Sequence, residues 1–193
     1  MTEIYLEEYK MLREEMQNCV ERDNSLATFM VTAVSTILTF AVSFNLQVPF
    51  LFLISFCIII PFSARISHYK GNLARISSYL IYYIEPKLGI DWETKNMQGK
   101  LPRGFFSRLI ISMRNYVGFW LGIISFVIYI VEYINKVGLN GSLDFIFCFS
   151  PIFLVLITFL IDKEIDSIVK SRKTWLHIWE QLDNSEQQQK STH

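Results

Sequence analysis

The residues of this chain most regularly spaced for chemistry are hydroxylic. Thr28, Thr32, Ser35, Thr36, Thr39 and Ser43 recur at intervals of mostly three and four, and so share one face of a helix. Two uses are expected of such a face. Hydroxyls offer hydrogen bonds to water or ions without a buried charge, which makes Thr32, Ser35, Thr36, Thr39 and Ser43 candidate lining residues of a water-filled pore. Equally, small hydroxyl side chains let helices approach closely and form a seam. Gly118, Gly122 and Ser125 make a second small-residue stripe, expected to pack against a neighbouring helix or subunit. A third set is cationic and aromatic: Arg75, Arg103 and Arg108, with Trp92, lie in one basic stretch. A guanidinium and a ring can hold the phosphate and the base of an anionic ligand such as a nucleotide. The competing reading assigns that positive charge to topology and to anionic lipid headgroups.

Enzymatic chemistry is not expected. His68, His177 and His193 are far apart and have none of the spacings of a metal site. Cys19, Cys57 and Cys148 give neither a disulfide framework nor a zinc cluster. No Gly-rich phosphate loop or nucleophile elbow occurs, and no ionisable residue lies deep in an apolar run, as an ion-coupled transporter requires. The sequence therefore predicts no catalytic residue, no metal and no cofactor.

The elements that position these residues follow from where charge is absent. The chain has 193 residues, 51% hydrophobic and 15% aromatic, with 18 basic against 18 acidic. This composition excludes a disordered chain, and sequence-specific nucleic-acid binding is not expected. Between Asp23 and Arg65 no residue is charged. That run is too long for one membrane span of about 20 residues and about right for two. Asn45, Gln47 and Pro49 interrupt it, giving spans at 25–44 and 48–64. The second half repeats the pattern at 115–134 and 145–161, so the predicted fold is all-α and integral to a membrane, with two transmembrane hairpins. Of the 18 basic residues only Lys136 falls in the short connections within the hairpins. By the positive-inside rule both termini are cytoplasmic.

Three flanking stretches carry apolar residues at alternating intervals of three and four: Tyr5, Tyr9, Leu12, Met16 and Cys19; then Ile66, Tyr69, Leu73, Ile76, Leu80 and Tyr83; then Ile165, Ile168, Trp175, Trp179 and Leu182, with Arg172 as the polar lapse. Such stripes mark helices that pack on helices, so the spans are expected to continue as a cytoplasmic bundle. Glu85 precedes Pro86, which predicts a helix end there and a loop over 87–102. Residues 103–114 are expected to form an amphipathic helix. The predicted segments are 1–24 and 65–114 in the cytoplasm, hairpins at 25–64 and 115–161, a cytoplasmic helix at 162–183 and a disordered tail at 184–193.

Two stretches carry a resemblance. Glu8-Tyr9-Lys10-Met11-Leu12-Arg13-Glu14-Glu15-Met16, followed by Arg22 and the first apolar run, resembles the amino-terminal helix of a widespread set of small bacterial four-span membrane proteins. Arg75-Ile76-Ser77-Ser78-Tyr79, running on through Ile84-Glu85-Pro86 to Gly89-Ile90-Asp91-Trp92-Glu93, resembles the central signature of that set. The match covers roughly the first half of the chain; the second hairpin is matched by hydropathy alone. The layout is similar to membrane effectors of antiphage defence: the four-span effectors of cyclic-oligonucleotide (CBASS-type) signalling, the membrane component of the Kiwa system and the membrane accessories of RNA-guided CRISPR systems. The resemblance implies a role in membrane defence; with four spans that enclose little room alone, the expected form is a homo-oligomeric effector in the lipid bilayer of the bacterial inner membrane. On a trigger at its cytoplasmic module, a cyclic nucleotide or a soluble defence protein, it would perturb membrane integrity. The alternative is an anchor that recruits a soluble defence partner. The signature residues Arg75, Tyr79, Glu85, Trp92 and Glu93 also have a structural reading, with Arg75 or Lys87 pairing Glu85 or Glu93.

Overall fold

The computed structural model describes residues 2–43, 52–98, 115–138, 141–170 and 172–191. Among these there is no strand. The helices are α1 (Thr2–Ser43), α2 (Ile54–Tyr79), α3 (Glu85–Leu88), α4 (Trp92–Gln98), α5 (Val117–Lys136), α6 (Ser142–Phe149), α7 (Ile152–Lys170) and α8 (Arg172–Ser191), with a π-helical turn at Leu80–Ile84 between α2 and α3. The chain divides into two compact units: the first holds Met1–Asp23, His68–Arg103 and Asp166–His193, the second Asn24–Ser67 and Gly104–Ile165.

α1 contributes to both units without a break, because no Gly or Pro occurs between Thr2 and Ser43 to stop it. Its second half buries Met30, Val34, Leu38 and Ala41, a three-and-four spacing. These residues form the core of the second unit with Phe52, Ile59 and Ile66, with Leu121, Tyr129 and Tyr133 of α5, and with Cys148 of α6. α5 enters this core through its glycines. A Cβ on Gly118 would stand 2.1 Å from Ser63 Oγ, and one on Gly122 would stand 3.1 Å from Thr158 Oγ1 and 3.3 Å from Phe56 Cε1. The two glycines therefore leave room for the side chains of Ser63 and Phe56 from α2 and of Thr158 from α7.

Among the described residues three stretches are long and apolar enough to cross a membrane: Glu3–Ser43, Val117–Lys136 and Leu143–Glu164. The fourth expected span, 48–64, lies partly outside the described residues. The described part belongs to α2, which runs on past Arg65 and Lys70 into the first unit.

The stretch that contains the expected 145–161 span is interrupted at Ser150–Pro151, between α6 and α7. Proline has no N–H, so the carbonyl four residues earlier, that of Phe147, loses its helical donor. Two side chains replace it: Tyr129 Oη donates to Phe147 O at 2.9 Å and Ser150 Oγ at 3.3 Å. Tyr129 is fully buried and reaches that carbonyl from α5.

The first unit is built on the predicted stripes. Met16, Ile76, Leu80 and Ile84 form its core, with Tyr5, Tyr9, Leu12, Leu73, Tyr79 and Tyr83 packed around them. The expected stop at Glu85 does not occur. Glu85 keeps helical angles, and its N–H donates to Leu80 O, closing the π turn. A proline at position 86 would clash with the carbonyl of Tyr82 in a regular α-helix, and the wider π turn relieves that clash. The helix ends instead at Gly89, whose φ of +66° suits glycine. The expected 87–102 loop contains α4, and α8 continues to Ser191 where disorder was expected from residue 184.

Tyr129→Phe keeps the ring and removes the donor to Phe147 O. We expect it to destabilise the purified protein by about 1–3 kcal/mol, the usual cost of a buried polar group left short of a partner. Thermal unfolding in detergent micelles, followed by circular dichroism, measures this.

Candidate functional site

The densest polar arrangement lies in the first unit, at the segment joining α3 to α4. Glu85, 2% exposed, turns its carboxylate onto the amino terminus of α4: it accepts Glu93 N–H at 2.5 Å, Thr94 N–H at 3.2 Å and the Thr94 hydroxyl at 2.6 Å. The first N–H groups of a helix have no partner within it, so this carboxylate supplies the cap. Glu93, 1% exposed, accepts Arg13 Nη1 of α1 at 2.5 Å and the Ser77 hydroxyl of α2 at 3.0 Å. The Arg13 guanidinium lies 4.2 Å from the Trp92 ring centroid and 5.8 Å from that of Tyr9. The partner of the signature's buried acid is thus Arg13, not Arg75 or Lys87. Lys87 instead stands 4.4 Å from the Tyr5 ring centroid.

Of the residues expected to hold an anionic ligand, Arg75 and Trp92 line different depressions. Trp92 lines a groove with Leu6, Arg13 and Ile90. Arg75 lines a separate cavity with Glu8, Glu15, Tyr79 and Trp179. Arg103 and Arg108 lie outside the described residues. In the Arg75 cavity the Tyr79 hydroxyl donates to Glu8 Oε1 at 2.9 Å. Burial and this bond to a carboxylate push the Tyr79 phenol up to about 12. Trp179 Nε1 donates to Ser78 Oγ at 3.2 Å, and the Tyr79 and Trp179 rings meet edge-on, centroids 5.6 Å apart.

In the second unit the hydroxyl face of α1 is turned outward. Thr32, Ser35, Thr36, Thr39 and Ser43 are all exposed, as is Thr28, while Met30, Val34 and Leu38 take the inner face. Thr28, Thr32 and Thr36 donate their hydroxyls to the carbonyls of Asn24, Thr28 and Thr32 at 2.9, 2.9 and 2.8 Å. Each therefore presents an acceptor outward with its own hydrogen already bonded.

Ser125, expected to pack against a neighbouring helix, is buried, and so are Ser55, Ser63, Thr158 and Asp162, which the sequence does not mark out. Asp162 reads in the sequence as the first charge beyond the fourth span. It is 1% exposed, and its Oδ2 accepts Phe119 N–H at 2.8 Å, in the first turn of α5. Ser125 Oγ is buried with no hydrogen-bond partner among the described residues. At the other end of α5, Glu132 pairs with Lys136 at 2.6 Å. No group of three or more His, Cys, Asp or Glu able to hold a metal occurs among the described residues. No protein-family model, curated protein or solved structure matches the chain.

Arg13→Leu leaves the Glu93 carboxylate buried with Ser77 as its remaining side-chain partner. Allowing for the 31% exposure of Arg13, we expect a loss of about 2 kcal/mol, below the full cost of breaking a buried pair. In the double variant Arg13→Leu/Glu93→Gln no charge is stranded, so part of the loss returns. A double-mutant cycle by denaturant unfolding in detergent measures the coupling.

Proposed function

We propose that this chain is a four-span protein of the bacterial inner membrane, both termini cytoplasmic, that works as a homo-oligomeric antiphage-defence effector. In this reading a trigger at the first unit rearranges the bundle, and the hydroxyl face of α1, shared between copies, lines a leak. The observation that carries the membrane part is the apolar outer surface of the second unit, which surrounds an apolar core. Many further large apolar side chains lie on its surface: Phe29 and Phe40 on α1, Ile124, Val127 and Val131 on α5, Phe145 and Phe147 on α6, Phe153, Leu156 and Leu160 on α7, each exposed by 47% or more. Its buried hydroxyls and Asp162 are inside. A water-soluble surface rarely carries an apolar patch of that extent, whereas hydrocarbon favours it. The 20 residues of α5 rise about 30 Å, the thickness of a bilayer core. Orientation is supported by the basic residues flanking the hairpins, and the defence role by the resemblance of the Glu8–Met16 and Arg75–Glu93 stretches.

Oligomerisation is supported by the outward hydroxyl face. Four spans enclose little room, so a conducting path needs several copies around it. Back-bonded threonines suit such a path, since they offer acceptors to water or cations without stranded donors. A second reading, an anchor that recruits a soluble defence partner, is favoured by the exposed Ile4, Met11 and Trp92 of the first unit. It predicts a stable complex and unchanged permeability.

Two outcomes are expected. Reporter fusions at either terminus are active only on the cytoplasmic face. In cells where the triggered wild-type chain depolarises the membrane, read with a potential-sensitive dye, Thr32→Leu/Thr36→Leu/Thr39→Leu at equal membrane abundance abolishes the signal. Undiminished depolarisation by the triple variant removes the α1 face from the path.

A further inference from the structure

We propose that the cavity between α1, α2 and α8 in the first unit binds a small zwitterion with an apolar side chain, of the α-amino acid class. The cavity measures about 340 Å³, within the range of small-molecule sites and larger than a single amino acid needs. Its walls carry both signs of charge. α1 contributes Glu8 and Glu15, seven residues apart and therefore on one face, and α2 contributes Arg75.

The two signs do not neutralise each other. Among the described residues neither Glu15 nor Arg75 makes an ion pair, although both line the same cavity. A bound molecule with separated ammonium and carboxylate groups meets both. Arg75 takes the carboxylate, for which the guanidinium fork is shaped, and Glu15 takes the ammonium. Asn72 lines the same wall, and its Nδ2 is already engaged with His68 Nε2 at 3.3 Å, which leaves its amide oxygen as a further acceptor for the ammonium.

The remaining lining is apolar and held in place. Leu12 and Ile76 lie beside the rings of Tyr79 and Trp179, and the polar tips of both rings are tied to Glu8 and to Ser78. What the rings offer a ligand is hydrophobic surface at fixed positions, suited to an aliphatic or aromatic side chain. The same charges disfavour the nucleotide considered from the sequence. Two carboxylates face one guanidinium, so a polyphosphate meets net repulsion.

The inference deepens the reading of the first unit as the sensing part, by naming what it senses, and rests on that reading only for its consequence. Occupancy is measured without any permeability signal, so failure of one is distinguishable from failure of the other. The experiment is calorimetric titration of the full-length protein in detergent micelles with L-phenylalanine, L-leucine and L-tryptophan, then with phenethylamine, which lacks the carboxylate, and 3-phenylpropionate, which lacks the ammonium. Saturable binding is expected for at least one amino acid, and binding at least about tenfold weaker for both one-charge analogues. Arg75→Gln weakens amino-acid binding by a similar factor and leaves phenethylamine unchanged, while Glu15→Gln weakens it and leaves 3-phenylpropionate unchanged. Both side chains are exposed, and unchanged helicity confirms that the variants fold. Absence of saturable binding by all three amino acids overturns the proposal. So does an analogue that binds as well as its parent, indifference to both substitutions, or displacement of the amino acid by a cyclic dinucleotide.

Discussion

A backbone carbonyl or amide that water does not reach has to find its partner inside the protein, and both units are organised around the places where the regular helix fails to provide one. At Pro151 the missing donor to Phe147 O is replaced by Tyr129 and Ser150. At the start of α5 the Phe119 N–H is met by Asp162, and at the start of α4 those of Glu93 and Thr94 are met by Glu85. At Pro86 the backbone widens into a π turn that re-pairs Leu80 O with Glu85 N–H. These devices explain why a chain with so few charges in its apolar half still buries a carboxylate there. Two of them also tie elements distant in sequence: Tyr129 of α5 reaches Phe147 O, and Asp162 of α7 reaches Phe119 N–H.

Much of the helical framework was legible before any coordinates. The charge-free runs mark α1 and α5, the absence of Gly and Pro from 2–43 marks the continuity of α1, and the three-and-four stripes mark the core of the first unit. What remained hidden depended on contacts between distant residues. α4 has seven residues, too few to be stable by propensity, and is held by Glu85 from before the turn and by Arg13 from 80 positions away. Asp162 stands where hydropathy turns polar and so reads as a boundary charge; only the approach of α5 shows that it is enclosed. Periodicity groups Thr32, Thr36 and Thr39 on one face but contains nothing about which way that face turns. The packing of Met30, Val34 and Leu38 decides it. Arg75 and Trp92 are neighbours in a basic stretch of sequence but line different depressions, since α3, α4 and Gly89 carry Trp92 to the Arg13 side.

The division of labour proposed for the molecule follows its division of chemistry. The first unit concentrates paired charges and half-exposed aromatics, which suit recognition of something in solution. The second is apolar on its surface and buries a few hydroxyls within an apolar core, which suits life in hydrocarbon. α1, α2 and α7 each contribute to both units. Arg13 and the Thr32–Ser43 face both belong to α1.

The central claim is that the second unit resides in a lipid bilayer. Its most direct test is alkaline carbonate extraction of membranes from cells producing the chain, which strips peripheral and trapped soluble proteins. The account predicts that the chain stays with the sedimented bilayer and leaves it only when detergent is added. Recovery of the folded chain in the carbonate supernatant would contradict it.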